Sequence, residues 1–148
     1  MTAGELAQRY EMVRHVENGT FTERHYAHEG PDRAASGSIY YYVAPGERTA
    51  FHRIDCDEYW CYIAGEPLVV WTVDKNGRVS VQSLGTAEDC EPLLYVKKGL
   101  LFASRSRAVE DGTFLACITV PRFEASGFEI FSEQRMLREA PQVKAFFE

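Results

Sequence analysis

The distribution of hydrophobic and polar residues predicts a chain built mostly of short β-strands. After residue 19, apolar and aromatic side chains alternate with polar ones in short runs separated by turn-forming residues, which is typical of a sandwich or barrel. Asp74-Lys-Asn-Gly77 predicts a tight hairpin, because Asn and Gly both tolerate positive φ. We predict strands at 20–26, 38–43, 49–55, 58–64, 67–74, 78–84, 92–97, 100–105, 113–120 and 127–131.

Helical patterns occur near the two ends of the chain. Leu6, Tyr10 and Val13 have helical spacing, which predicts a short amphipathic helix over residues 4–15. A second helix is predicted at 132–138, before a short apolar turn near the C-terminus, and residues 29–37 have the composition of a loop. We therefore expect one domain over residues 1–148, with an N-terminal helix (1–16), a β-barrel (17–131) and a C-terminal helical tail (132–148).

Composition narrows the possible partners and the compartment. A chain of 148 residues that is 45% hydrophobic can bury one sizeable core and is too short for two ordinary domains. Its net charge of −6 argues against nucleic acid or an anionic membrane as the main partner. Neither a membrane-spanning apolar run nor a signal peptide is evident in the sequence. We expect a cytoplasmic protein whose four widely spaced cysteines are reduced thiols.

The segment 46–65 carries the most specific spacing in the chain. Gly46, His52, Ile54, Glu58 and Gly65 are separated by five, one, three and six residues. This spacing resembles the first cupin motif, in which two histidines and a glutamate on adjacent strands hold one metal ion. Ile54 stands in the second histidine position and cannot bind a metal. The strand period of two places His52 and Ile54 on one face of their strand.

The resemblance extends over roughly residues 16 to 131. It is closest to cupin family 5, the DUF985 group of the cupin superfamily, which is related to the RmlC-like cupins. The segments that carry it are 17–23, 35–41, 51–60 followed by 64–68, 119–123 and 127–129. The resemblance implies an all-β cupin double-stranded β-helix, a jelly-roll barrel with a short N-terminal helix and a C-terminal helix. It also implies a homodimer, because cupins often pair through their N-terminal strands.

The second cupin motif departs from the family pattern. Cupins generally have Pro-x-Gly-x-x-His there, whereas this chain has Lys97-Lys-Gly-Leu-Leu-Phe102. Of the four expected ligand positions, only His52 and Glu58 can bind a metal, and two ligands fall short of the sets that hold catalytic Zn²⁺ or Fe²⁺. We therefore expect no cofactor. The alternative is a divalent metal at His52 and Glu58, completed by Glu23 or His25.

His52 and Glu58 are the predicted catalytic residues. A histidine beside a carboxylate in an apolar cavity suits proton transfer, because imidazole titrates near neutrality and the carboxylate can orient it or take a proton itself. The alternative is a buried polar pair that only maintains the barrel.

Eight further side chains are predicted to contact the substrate: Glu23, His25, Tyr40, Ile54, Trp60, Tyr62, Phe102 and Ser104. The aromatic residues among them are also typical of a core. Glu23 and His25 also fit an exposed strand face. Because Ile54 and Phe102 replace metal ligands, we expect a small-molecule substrate with apolar bulk.

Three functions remain open at this point. The first is a metal-independent isomerase, epimerase, cyclase or lyase that uses His52 and Glu58 as acid and base. RmlC-like relatives include sugar epimerases of this kind, which supports it by analogy. The second is a barrel that binds a small molecule without changing it. The third is a metal-dependent oxygenase or isomerase with an atypical ligand set.

Overall fold

Two antiparallel sheets make up the core of the computed structural model, which describes residues 1–27 and 32–148. In chain order the strands are β1 (Val13–Arg14), β2 (Thr20–Ala27), β3 (Ser36–Val43), β4 (Phe51–Arg53), β5 (Asp57–Gly65), β6 (Leu68–Val73), β7 (Val79–Leu84), β8 (Leu93–Val96), β9 (Leu101–Ser106), β10 (Thr113–Val120) and β11 (Glu129–Phe131). One sheet has the order β1-β2-β3-β10-β5-β8 and the other the order β11-β4-β9-β6-β7. This arrangement confirms the predicted all-β jelly roll with a short helix at each end.

The predicted strands and the predicted hairpin recur with small changes at their ends. Asp74–Gly77 forms the turn between β6 and β7, where the N–H of Asp74 donates to the carbonyl of Arg78 over 3.0 Å and Gly77 has φ of +80°. The strand predicted at 49–55 is shorter, because Thr49 and Ala50 bond to Ser104 and to Glu17 outside a regular ladder. Residues 29–31 of the predicted loop 29–37 lie outside the described residues, and β3 already begins at Ser36.

The N-terminal helix is shorter than the range 4–15 predicted from the spacing. α1 covers Ala3–Arg9 and begins with a capping box between Thr2 and Glu5. It ends because Glu11 has φ of +48°, and the chain then enters β1, which pairs with β2. The apolar spacing therefore continued past the helix into a strand, and Val13 is exposed there.

The C-terminal tail covers the open side of the second sheet. α2 (Glu133–Glu139) is followed by a 3₁₀ segment, Pro141–Phe147. Val143 and Phe146 in that segment are fully buried against Phe51 and Met136. A separate core lies between the two sheets and includes Trp60 and Phe102, among others. Within the described ranges, no helix is both long and apolar enough to cross a bilayer.

Candidate functional site

A cavity of about 160 Å³ opens between the strands of the jelly roll. Its polar lining consists of His15, Glu17, Glu23, Tyr26, Ser38, His52, Glu58, Cys117, Thr119 and Arg122, and its apolar lining includes Phe21, Ile39, Phe123 and Phe128. The volume lies below the range of about 300–1,000 Å³ that is usual for drug-sized ligands. The cavity is therefore suited to a small ligand that combines apolar surface with a few polar groups.

The buried pair of His52 and Glu17 is the central feature of the cavity. His52 Nδ1 lies 2.8 Å from Glu17 Oε2 and 2.9 Å from the carbonyl oxygen of Ala50. Two acceptors at one nitrogen mean that Nδ1 carries the proton. Among the described residues Nε2 has no hydrogen-bond partner, so this nitrogen is available to a ligand.

The pKa of His52 lies above its ordinary value of 6.5. Burial alone would lower it, but the charge and hydrogen bond of Glu17 together with the carbonyl of Ala50 outweigh burial. The imidazolium form is therefore favoured inside the protein by a fixed carboxylate.

His15 holds the other side of Glu17. The N–H of Glu17 donates to His15 Nδ1 over 3.2 Å, so this nitrogen acts as an acceptor. Burial lowers the pKa of His15, against the opposing charge of Glu17, and the nearby charge of His52 lowers it further. A histidine with a lowered pKa and a histidine with a raised pKa thus flank Glu17.

Glu58 is buried on the inward face of β5, as its strand position predicts. Burial raises its pKa from 4.5 to about 7, although the charge of His52 opposes the shift. The thiol of Cys117 and the nearby indole N–H of Trp60 both favour the ionised carboxylate of Glu58 and so lower its pKa. The indole N–H is close to Glu58 without forming a hydrogen bond of normal geometry. Near neutral pH, Glu58 can therefore give or take a proton.

Arg122 brings a guanidinium group to the edge of the cavity. It lies 3.9 Å from the centre of the Tyr26 ring. Its backbone is fixed on both sides, since its N–H donates to Ala34 and its carbonyl accepts from Arg33 Nε over 2.7 Å. Arg33 in turn pairs with Asp55. The position of the Arg122 side chain is thus set by stacking and by an anchored backbone.

Three of the residues predicted from sequence line the cavity, namely His52, Glu58 and Glu23. Glu23 is exposed and lies on β2. His25 on the same strand is exposed as well and does not line the cavity.

The other predicted contacts lie in the core or on the outer surface. Ile54, Trp60 and Phe102 are 5%, 4% and 1% exposed within the core between the sheets, and the Phe102 ring packs 4.1 Å from that of His52. Tyr62 donates its hydroxyl to the carbonyl of Gly65, and Tyr40 packs against Tyr10 and Phe114. Ser104 is fully buried in hydrogen bonds with Thr49. These side chains shape the barrel around the cavity and do not form its wall.

Several residues of the cavity were absent from the sequence-based prediction. Glu17 and Thr119 lie in segments that carry the family resemblance, which was a signal for them. His15 lies just outside a regular strand and no spacing marks it, whereas Arg122 follows β10 within the segment 119–123 of the resemblance. Cys117 was expected to be a reduced thiol, and in the structure it packs in the core beside Glu58.

The cavity does not fit the metal site of a cupin. Within residues 1–27 and 32–148, no three His, Cys, Asp or Glu side chains are grouped so that they could hold a metal ion. His25, one of two residues named as an additional ligand, does not reach the cavity, and Ile54 and Phe102 in two of the ligand positions belong to the apolar core. The donor set is that of a hydrogen-bonded acid–base cluster.

Comparisons with known proteins agree with the fold. The family described as Cupin superfamily (DUF985) matches residues 4–131. The X-ray crystal structure of a protein from Shewanella oneidensis is 30% identical, with a TM-score of 0.89 over 98% of this chain and 94% of that one. A hypothetical protein from Leishmania major is 25% identical, with a TM-score of 0.85 over 98% and 96% of the two chains.

A more distant similarity concerns the fold alone. Oxalate decarboxylase from Bacillus subtilis is 22% identical, with a TM-score of 0.62 over 90% of this chain and 33% of that chain. No curated protein sequence gives a significant match to this chain.

Proposed function

Because this chain belongs to the DUF985 family of the cupin superfamily, and because that fold alone fixes no reaction, we propose a function from the cavity itself. The protein is an isomerase, epimerase, cyclase or lyase that acts on a small molecule by metal-independent proton transfer. The observation that carries the proposal is the Glu17–His52 ion pair, 2.8 Å long, in the same cavity as Glu58.

His52 is the first proton-transfer group in this proposal. Glu17 and the carbonyl of Ala50 hold the proton on Nδ1, so the neutral form of His52 presents Nε2 to the substrate as a base, while the imidazolium form presents an N–H there as an acid. When Nε2 takes a proton, the positive charge forms next to Glu17, which stabilises it. Glu17 thus orients the base and compensates the charge that develops on it.

Glu58 is the second proton-transfer group. With a pKa raised to about 7, its neutral and charged forms coexist near neutral pH. In an isomerisation, His52 removes a proton from one atom of the substrate and Glu58 donates a proton to another. In an elimination, the proton from Glu58 goes to the leaving group. In both cases His52 ends protonated and Glu58 ionised, and exchange with water restores the starting forms.

The side chains in the former metal-ligand positions support a mechanism without a metal. Ile54 and Phe102, which stand in two of the ligand positions of the family, belong to the apolar core. Elemental analysis of purified protein should find well under one equivalent of Fe, Zn, Mn or Ni per chain. Stoichiometric metal that survives dialysis against a chelator would overturn the assignment.

Solvent-deuterium exchange tests the proposed chemistry before the natural substrate is identified. A panel of small hydroxy and keto compounds is incubated with the protein in D₂O, and C–H loss is followed by proton NMR. The wild type should exchange a C–H proton in at least one compound. His52→Ala should lower that rate roughly 10²–10⁴-fold, which is the usual contribution of a general acid or base. Glu58→Gln should lower it as well.

A surface variant provides the control. His25→Ala removes an exposed histidine that does not line the cavity, and it should retain the wild-type exchange rate. If compounds bind to the wild type and none of them exchanges or converts, the protein is a binding barrel and the proposed enzyme is excluded.

A further inference from the structure

Arg122 is the one side chain with a permanent positive charge among the described residues that line the cavity. No carboxylate of the described residues forms an ion pair with it, whereas Arg14, Arg33, Arg48, Arg53 and Arg135 each have such a partner. The side chain is half-buried, so its charge is only partly solvated. A cation in this setting favours an anionic ligand.

Arg122 carries more hydrogen-bond donors than its contact with the Tyr26 side chain can use. Its guanidinium lies over the face of the Tyr26 ring, at 3.9 Å from the ring centre. A guanidinium has five N–H donors in one plane, so donors remain for a ligand beside the contact with Tyr26. An arginine held in this way presents a two-pronged edge, which matches the two oxygens of a carboxylate.

A second donor lies next to Arg122 in the wall of the cavity. Thr119 is buried, and its Oγ1 accepts from the N–H of Phe123 over 3.0 Å. Since the oxygen already acts as an acceptor, its own O–H proton is available to a ligand. Arg122 and Thr119 both line the cavity that holds His52 and Glu58.

The remaining charged groups of the cavity do not neutralise the charge of Arg122. In the ion-paired state Glu17 and His52 compensate each other across 2.8 Å, protonated Glu58 carries no charge, and Glu23, which also lies at the cavity, is solvent-exposed and therefore screened. The volume of about 160 Å³ corresponds to the liquid volume of about five water molecules. A ligand of that size has one anchoring group and one reacting centre.

We propose that Arg122 binds the carboxylate of the substrate and that the substrate is therefore a small carboxylic acid. This inference rests on the proposed function, because it assigns the anchoring group of the molecule on which His52 and Glu58 act. Arg122 fixes the acid at one end of the cavity, and the carbon next to the carboxylate faces the proton-transfer groups. The C–H bonds on such a carbon, beside a hydroxyl or keto group, are the ones that enzymatic proton transfer breaks.

Paired acids and amides test the proposal on the full chain. Propionate, lactate and pyruvate are compared with propionamide and lactamide, which have nearly the same shape and no charge. Binding is measured by ligand-detected NMR with wild type, Arg122→Gln and Arg122→Lys. The acids should bind the wild type more tightly than the amides. Arg122→Gln should weaken acid binding by roughly 10–100-fold, as expected for a charge-assisted pair, and leave amide binding unchanged.

Two further variants separate the anion site from general charge effects. Arg107→Gln removes an exposed positive charge remote from the lining and should retain acid binding. Glu23→Gln removes a screened negative charge at the cavity and should change acid binding much less than Arg122→Gln does. The inference is overturned if the wild type binds acids and amides equally, or if none of the three acids binds at millimolar concentration. Both results are measured on the wild type, so they do not depend on whether a variant folds.

The two proposals fail in different ways. Acids that bind through Arg122 but show no deuterium exchange would retain the anion site and exclude the acid–base enzyme. Exchange into a neutral compound, with no preference for acids, would retain the enzyme and exclude the anion site.

Discussion

At the scale of single residues, the chemistry of the cavity depends on how Glu17 is held. Its carbonyl accepts from the N–H of Ala50 over 2.8 Å, so the turn that follows β1 is fastened to the segment that leads into β4. His52 is two residues beyond that contact, and Glu17 reaches it with its side chain. One short turn thus sets both the position and the protonation of the histidine.

Replacement of Glu17 should change the titration of His52. Glu17→Gln removes the charge that raises the pKa of His52, so burial then dominates and the pKa should fall below 6.5. NMR titration of the imidazole signals measures this directly. Glu23→Gln is the matched control, since it removes a carboxylate from the same cavity without breaking a bond to His52, and it should shift the pKa much less. An unchanged pKa in Glu17→Gln would contradict the assigned pair.

Glu58 should make stability depend on pH. Its pKa rises from 4.5 to about 7 on folding, so the folded chain binds its proton more tightly than the unfolded chain. The associated stabilisation is complete below pH 4.5 and is lost as the pH rises to about 7. At 1.36 kcal/mol per pKa unit the loss is on the order of 3 kcal/mol.

Glu58→Gln provides the comparison, because glutamine has nearly the same shape and cannot ionise. Relative to wild type, the variant should be more stable at pH 8 than at pH 5, by up to about 3 kcal/mol. Urea unfolding at both pH values measures the difference. The pKa of His52 is also raised on folding, so His52 also makes the stability fall with rising pH, in wild type and in Glu58→Gln alike. The exposed Glu88→Gln should show no such dependence, and a parallel pH profile of Glu58→Gln and wild type would refute the shift.

His52 and Glu58 were accessible from the sequence because their spacing is fixed by two neighbouring strands. Glu17 and Arg122 lie in segments of the family resemblance, but their roles were missed, because each lies in irregular chain and is positioned by long-range contacts with Ala50 and Arg33. The period of two predicts which residues of a strand share a face, but it does not predict which residues of a turn reach the cavity. The fold was therefore easier to predict than most of the polar wall of the cavity.

At the scale of elements, two glycines of the same motif carry different constraints. Gly46 and Gly65 both have positive φ, +73° and +98°. A Cβ at Gly46 would meet nothing within 4 Å, whereas one at Gly65 would lie 2.0 Å from the carbonyl oxygen of Gly112 and 2.7 Å from Ala3. Gly65 therefore serves close packing between β5, the start of β10 and α1.

The two alanine variants should differ in stability. Gly46→Ala should cost about 1–2 kcal/mol, the strain of a left-handed conformation. Gly65→Ala adds an overlap with backbone, which should cost about 1–3 kcal/mol more because Gly112 cannot move aside alone. Thermal and urea unfolding measure both values. Equal costs would show that the contact with Gly112 relaxes freely.

The ends of elements were the least predictable part of the fold. The helical spacing of Leu6, Tyr10 and Val13 suggested a helix to residue 15, yet the chain leaves the helix after Arg9. The physical reason is tertiary: the Tyr10 ring packs 4.8 Å from that of Tyr40, and β1 gains a partner in β2. Local spacing does not report such contacts.

At the scale of the whole molecule, the barrel has two cores with separate tasks. The core between the sheets surrounds the cavity, while the second lies under the C-terminal tail. Phe146→Ala should destabilise the fold by about 3–5 kcal/mol, the usual cost of removing a fully buried phenylalanine. Phe147→Ala, at the half-buried next position, should cost about 1 kcal/mol. Similar losses for the two variants in urea unfolding would contradict the packing of the tail.

The expected homodimer also belongs to this scale and stays a prediction. The resemblance to cupins implies pairing through the N-terminal strands. Light scattering should then give about twice the chain mass of 16.8 kDa, and a value equal to that mass would exclude the dimer.

The thiol of Cys117 beside Glu58 gives the protein a chemical reporter of its own. Burial holds its pKa well above 9.0, and alkylating reagents attack the thiolate, so Cys117 is unreactive while it stays enclosed. Cys90 on the outside of the same chain is less enclosed and serves as an internal reference. The ratio of the alkylation rates of Cys117 and Cys90 therefore measures how often the barrel opens to a reagent. A molecule that occupies the cavity should slow the alkylation of Cys117 and leave that of Cys90 unchanged.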